Sequence, residues 1–181
     1  MPAIPPASVT AHFRAAQRAD AEALRVLAIH VFLDTYAADG ITSRIGREAD
    51  TTFAIDKVRT WLTTPGHRVI VAEIHAGLTG FAHVVRGAHP ERPDAGEVEL
   101  NRLYVRKNFI GQGVGRRLLQ EAEAVAAREG ARALWLTAWA GNAKARAFYA
   151  RQGYEDIGRA VYVFEDQEFE NRLLTRRLGP T

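Results

Sequence analysis

Apolar residues recur along this chain at two spacings, and each change of spacing marks an element. From Asp20 onward, Leu24, Leu27, Ala28, Val31 and Tyr36 fall at helical intervals, with Asp20 placed to cap the helix and Gly40 to close it. Ile55 to Leu62 predicts a second helix that stops at Thr63-Thr64-Pro65-Gly66, and the stretch between the two reads as irregular or weakly helical. Ahead of them, Val9 to Ala15 predicts a strand.

Arg68 to Ile74 and Leu78 to Val85 are apolar-rich runs joined by His75-Ala76-Gly77, which predicts a β-hairpin. Beyond a polar link carrying Pro90 and Pro93, Glu97 to Val105 predicts a third strand of that antiparallel group. The spacing then turns helical again: Leu118, Leu119, Ala122, Val125 and Ala126 share one face, and Gly130 ends it. Ala133 to Trp139 predicts a buried strand and Asn142 to Gln152 an alanine-rich helix ended by Gly153, while Tyr154 to Val163 and Phe169 to Leu178 close the chain as strands. Strands joined by crossover helices run parallel and hairpins antiparallel, so the expected class is α/β (α+β), a mixed sheet with helices packed against it.

Length and composition narrow the function. The 181 residues suit one core, and 47% hydrophobic with 25% charged residues is the balance of a globular chain. Residues 9–181 are therefore expected to form a single domain behind a loose tail over 1–8, which lacks the basic start and apolar stretch of a signal peptide. The absence of cysteine excludes disulfides, thiolate metal sites and thiol nucleophiles, and suits a reducing cytoplasm. The most apolar run, Ala23 to Leu33, is broken by Arg25 and His30 and falls short of the ~20 residues needed to cross a bilayer, so no membrane partner is expected. A net charge of +3 with scattered basic residues argues against nucleic acid, and the six histidines form no H-E-x-x-H pair, so no metal is expected.

The turn Gly111-Gln112-Gly113-Val114-Gly115 follows a strand and opens a helix. Alternate glycines let a ligand approach the main chain, and unpaired N–H groups at the positive end of a helix dipole form an anion site. Arg116 and Arg117 lie in the helix's first turn, where positive charge opposes the dipole unless a phosphate is bound; read alone, both are equally well exposed, solvated arginines. The Walker motif fails because no glycine precedes a Lys-Ser or Lys-Thr pair, and G-x-G-x-x-G fails at Arg116 and Leu118.

Glu99-Leu-Asn-Arg-Leu-Tyr-Val105, the turn over 111–115, Leu134-Trp-Leu-Thr-Ala138, and Asn142 with Ala145, Phe148, Tyr149, Gly153 and Tyr154 together resemble the GCN5-related N-acetyltransferase (GNAT) superfamily. Phe32-Leu-Asp-Thr-Tyr36, Leu78-Thr-Gly-Phe81 and the region of Phe164 and Asp166 look like its PaiA-type branch, which includes polyamine acetyltransferases. The resemblance implies a central sheet of about seven strands, splayed between the fourth and fifth, and acetyl-CoA as co-substrate. It implies that Leu103, Tyr104 and Val105 hold acetyl-CoA along the strand and that Gly111, Gln112, Gly113, Val114, Gly115 and Arg116 take its pyrophosphate. Asn142 would bind the pantetheine arm or the start of its helix. Ile110 departs from the family's Gln or Arg, which leaves this turn to bind through backbone.

The same resemblance makes Tyr149 the acid for the departing thiolate and Glu99, with Glu97 as fallback, the base for the amine. Read without it, Tyr149 is a packing tyrosine and both glutamates are solvated or arginine-paired strand residues. Phe32, Asp34 and Tyr36, with Trp61 and Trp139, are acceptor-site candidates. The implied function is direct acetyl transfer to a primary amine of a small molecule, polyamine-like, or a peptide, by a monomer or homodimer. The alternative is a non-catalytic acyl-CoA-binding regulatory module.

Overall fold

A computed structural model describes residues 10–179; the tail expected over 1–8 lies outside the described residues. The strands are β1 (His12–Ala15), β2 (His67–Ile74), β3 (Gly77–Arg86), β4 (Val98–Val105), β5 (Ala133–Trp139), β6 (Glu155–Phe164) and β7 (Gln167–Arg177). The α-helices are α1 (Ala21–Tyr36), α2 (Ser43–Thr52), α3 (Ile55–Trp61), α4 (Val114–Arg128) and α5 (Ala143–Arg151). The sheet has seven strands in the order β1-β2-β3-β4-β5-β7-β6, with β4 and β5 parallel and the other neighbours antiparallel.

Two local expectations change. Asp20 does not cap α1: a short turn over Arg18–Asp20 comes first, Asp20 is already near-helical at φ −82°, ψ −6°, and its carboxylate instead takes Arg14 and the Gln17 N–H, each at 2.7 Å. Within the stretch read as irregular or weakly helical stands α2, whose Thr42 hydroxyl accepts the Ile45 N–H at 3.3 Å. Its apolar face is only Ile45 and Ala49, one turn apart, too brief to register as periodicity, and long-range bonds hold it. Tyr162 donates to Glu48 at 3.1 Å, and Arg47 grips Glu165.

One hydrophobic cluster packs α4 and α5 on one face of the sheet, through Leu118, Leu119, Ala122 and Tyr149 against Ile70, Ala72, Ala82 and Val84. A second packs α1, α2 and α3 on the opposite face, through Leu24, Phe32, Phe53 and Trp61 against Val69, Val71 and Phe81. Strand alternation explains the division of β2 and β3, because neighbouring residues point to opposite faces.

In β4 the alternation slips. His83 pairs with Arg102 and Val84 with Leu100, so Asn101 is an extra residue, a β-bulge. Val98, Leu100, Leu103 and Val105 consequently face α4, while Glu99, Arg102 and Tyr104 share the α1–α3 face. The expected splay is present: β4 and β5 pair only at Val98 with Leu134 and Glu99 with Trp135, then part toward their C-terminal ends.

Candidate active site

The glycine turn sits where β4 ends. Gly111 and Gly113 have φ of +83° and +84°, a region that side-chain-bearing residues avoid, and Gly113 is the N-terminal flank of α4. Gly115 lies against β4, since a Cβ there would meet Val105 Cγ2 at 3.5 Å. Among the described residues no backbone hydrogen bond is found from the N–H groups of residues 111 to 116, and the first in the helix runs from Arg117 to the Gly113 carbonyl at 3.0 Å. These donors are therefore without a backbone partner at the positive end of α4. Gln112 turns back to donate to the Asn108 carbonyl at 2.7 Å, Ile110 is solvent-exposed, and Arg117 is tied to Glu121 at 2.7 Å. Arg116 lines a shallow hollow with Arg151 and Arg176.

Asn142 caps α5: its Oδ1 accepts the Ala145 N–H at 3.0 Å. About two turns on, Tyr149 is buried in the α4-side core beside Phe148 and Tyr154, at ring distances of 5.2 and 5.5 Å. Burial raises its pKa, and the neighbouring phenols of Tyr104 and Tyr36 raise it further. Among the described residues its hydroxyl has no hydrogen-bond partner, and since no fully buried side-chain polar atom is left unsatisfied, the hydroxyl is not wholly sealed from solvent.

On the α1–α3 side, burial raises the Glu99 pKa against the opposing pull of the Asn101 amide, which donates at 3.0 Å, and of Arg102 and His89. Glu97 is committed elsewhere: it accepts from the Arg132 side chain at 2.9 Å and from the Arg132 and Ala133 N–H groups at 3.0 and 3.2 Å. Burial works to raise its pKa, but those bonds outweigh it and hold the group below its ordinary value. The fallback base is thus a fastener for the start of β5.

A family model, described as the acetyltransferase (GNAT) family, matches residues 15–154. The chain belongs to that family. Among GNAT relatives, an uncharacterized N-acetyltransferase of Lactobacillus delbrueckii subsp. lactis is 28% identical over 81% of this chain and 86% of its own. An uncharacterized N-acetyltransferase of Mycobacterium tuberculosis is 25% identical over 88% of this chain and 98% of its own. A PaiA N-acetyltransferase from Thermoplasma acidophilum, solved with coenzyme A, shares the GNAT fold with a TM-score of 0.73 at 20% identity, over 93% of this chain and 99% of that one. The acetyl-CoA complex of a putative acetyltransferase from Salmonella typhimurium gives 0.67 at 20% identity, over 95% and 96%.

Within this GNAT frame the acceptor candidates separate. Phe32 is a core residue, packed on Phe53 at 5.6 Å, and Trp61 is buried beneath Arg102. Asp34 lies about 200° around α1 from Phe32, points away from the sheet, and pairs with His30 at 3.6 Å. Tyr36 and Trp139 are brought together, half-exposed, with ring centroids 5.8 Å apart. Sequence reasoning missed Arg102, His83 and Phe53. Arg102 stacks on Trp61 at 4.6 Å and Phe53 at 5.6 Å, and donates to Asn101 Oδ1 and to His83 Nδ1, the latter at 3.4 Å. His83, 1% exposed, has its pKa lowered to about 3 by burial and then by Arg102 and His67, so it is neutral. With Nδ1 accepting from Arg102, its Nε2–H donates to His67 Nδ1 at 3.0 Å. A signal for this trio existed only in three-dimensional register: His83 and Arg102 pair across β3 and β4.

Proposed function

We propose that this chain transfers the acetyl group of acetyl-CoA directly to a primary amine of a small molecule or peptide. Three features together support the reading: the N–H groups of the glycine turn that have no backbone partner among the described residues, the parted ends of β4 and β5, and a Tyr149 hydroxyl without a hydrogen-bond partner among the described residues. A turn with two left-handed glycines and free donors at a helix N-terminus suits a pyrophosphate, and relatives solved with coenzyme A and acetyl-CoA share the fold.

When bound, acetyl-CoA supplies an activated thioester. Residues 111–116 hold its pyrophosphate, with Arg116 adding charge, and the freed β4 backbone at Leu103, Tyr104 and Val105 lies along its arm, with Asn142 holding the start of α5. Backbone N–H donors at the parted strand stabilise the oxyanion that develops on the carbonyl. Glu99, directly or through a water, accepts a proton from the ammonium, whose pKa of ~10.4 otherwise leaves almost no neutral amine at pH 7. Its raised pKa moves it toward the working range of a base. The amine nitrogen bonds to the carbonyl carbon, the C–S bond breaks, Tyr149, kept protonated by burial, donates to the sulfur, and the second proton that the nitrogen sheds restores the phenol. The products are an amide and free CoA thiol.

Incubation with acetyl-CoA and a panel of amines, with detection of free thiol, tests this. Amine-dependent thiol release is expected. Tight CoA binding with no amine-dependent release across the panel would instead favour a non-catalytic acyl-CoA-binding module.

A further inference from the structure

Arg102 is an unusual guanidinium in this molecule. Surface arginines hold carboxylates closely, Arg14 with Asp20 at 2.7 Å, Arg47 with Glu165 at 2.8 Å and Arg172 with Asp156 at 2.8 Å. Arg102 lies deeper and, among the described residues, has no carboxylate within ion-pair distance; its partners are the Asn101 amide oxygen, neutral His83 and Tyr104. Burial lowers its pKa, with only partial compensation from Tyr104 and Glu99. Leaving a desolvated cation without a counter-ion is costly, and a ligand anion relieves that cost. The group is also held in one orientation. Trp61 and Phe53 lie against it, and His83, fixed in turn by His67, accepts from one Nη1–H. No fully buried side-chain nitrogen among the described residues is unsatisfied, so the Arg102 donors that these partners leave unused are not sealed from solvent.

We propose that Arg102 is the carboxylate receptor of the acceptor site, so that the amine acetylated here also carries a free carboxylate, as an amino acid does. The proposal rests on the acetyl-transfer reading above and names its substrate class. The bulge at Asn101 brings Glu99 and Arg102 onto one face, about 7 Å apart along the strand if the bulged residue adds no length. The Asn101 amide links the two, donating to Glu99 and accepting from Arg102, so a zwitterion would lie over that bridge: the ammonium toward Glu99, the carboxylate on the Arg102 donors that Asn101 and His83 leave unused, a planar fork that binds such groups through two parallel hydrogen bonds. A polyamine, positive at both ends, would meet Arg102 with like charge.

The test uses the full chain, acetyl-CoA, the standard L-amino acids, their α-carboxamides, and spermidine as a carboxylate-free amine. Among accepted amines, the free acid should exceed its amide in kcat/KM by about 10- to 100-fold, the range for a charge-assisted hydrogen bond. Arg102→Gln should abolish that ratio chiefly through amine KM, and Arg102→Lys, which keeps the charge without the fork, should retain part of it. Equal or better use of amides or spermidine, or an unchanged ratio in Arg102→Gln, overturns the proposal. Calorimetric titration of the N-acetylated amino acids and N-acetylated amides into the CoA complex supplies a readout without turnover. Carboxylate-dependent binding lost in Arg102→Gln but no thiol release would sustain the receptor and remove the transferase reading. Thiol release without carboxylate preference would do the reverse, and no carboxylate-dependent binding in either assay overturns the receptor. If Arg102→Gln does not fold, the Arg102→Lys ratio decides.

Discussion

The two faces of the sheet are built from different material. Against α4 the core is mostly aliphatic and small, with Ala72, Ala82, Leu118 and Ala122, its buried tyrosines being Tyr149 and Tyr154 at and just after α5, and what that half offers a ligand is chiefly main chain: the turn over 111–115 and the freed end of β4. Against α1 to α3 the core is aromatic, with Phe32, Phe53, Trp61 and Phe81, and what it offers is side chains: Glu99, Arg102, Tyr104, Tyr36. Backbone donors depend on conformation, so Ile110 at an exposed position of the turn costs the cradle nothing. Side-chain recognition depends on identity, and every ring beneath Arg102 helps to aim it. The first half is suited to a ligand that stays the same, the second to one that sets specificity.

Tyr149 stands between the halves, and its removal should have the largest effect. Tyr149→Phe is expected to lower kcat by about 10²- to 10⁴-fold, the usual worth of a general acid, with acetyl-CoA affinity nearly unchanged; steady-state kinetics with a CoA titration would show it, and wild-type turnover would remove Tyr149 from the mechanism. Glu99 lies on the acceptor side. Because its pKa is raised, activity should fall as pH drops through a value above the ordinary ~4.3 of a glutamate, and Glu99→Gln should lose that acid limb along with most of the rate. A pH–rate profile that keeps the limb in Glu99→Gln would assign it elsewhere.

His83 sharpens the comparison through stability. The unfolded chain binds a proton at a pKa of about 6.5, which the folded imidazole accepts only near pH 3. Its contribution is therefore full above the unfolded value and is lost as pH falls from there toward 3. His83→Gln, which can still accept from Arg102, should flatten the decline of the urea midpoint over that range. The smallest effect is expected away from both faces, in the hairpin between β2 and β3. His75 and Ala76 occupy φ of +48° and +62°, so Ala76→Gly should stabilise by about 0.5–1 kcal/mol without altering kinetics.

The half proposed to hold the cofactor was the readable one in its elements. Its elements are contiguous: a strand, alternate glycines, and a helix with apolar residues at regular spacing, so local pattern and local chemistry coincide. The seven-strand sheet and its splay followed from the same region and from the family resemblance it carries. The half proposed to take the acceptor was not readable, because Phe53, Trp61, His83 and Arg102 come from α2's end, α3, β3 and β4 and meet only through register and the bulge at Asn101. Asp34 looked apt for a cationic amine by its charge alone, yet two residues along a helix is nearly the opposite side. Likewise α2 was under-read because Thr42, Glu48 and Tyr162 hold it rather than an apolar stripe.

Calorimetric titration of CoA into the wild-type chain, Gly113→Val and Arg102→Gln tests the division of labour most directly. A β-branched residue at φ +84° must distort the turn, so Gly113→Val should weaken CoA by about 5- to 30-fold, the equivalent of the ~1–2 kcal/mol cost of a left-handed side-chain-bearing residue. Arg102→Gln should bind CoA as the wild type does. Equal weakening in both variants, or undiminished binding in Gly113→Val, would contradict the assignment of the cofactor to the backbone of the turn.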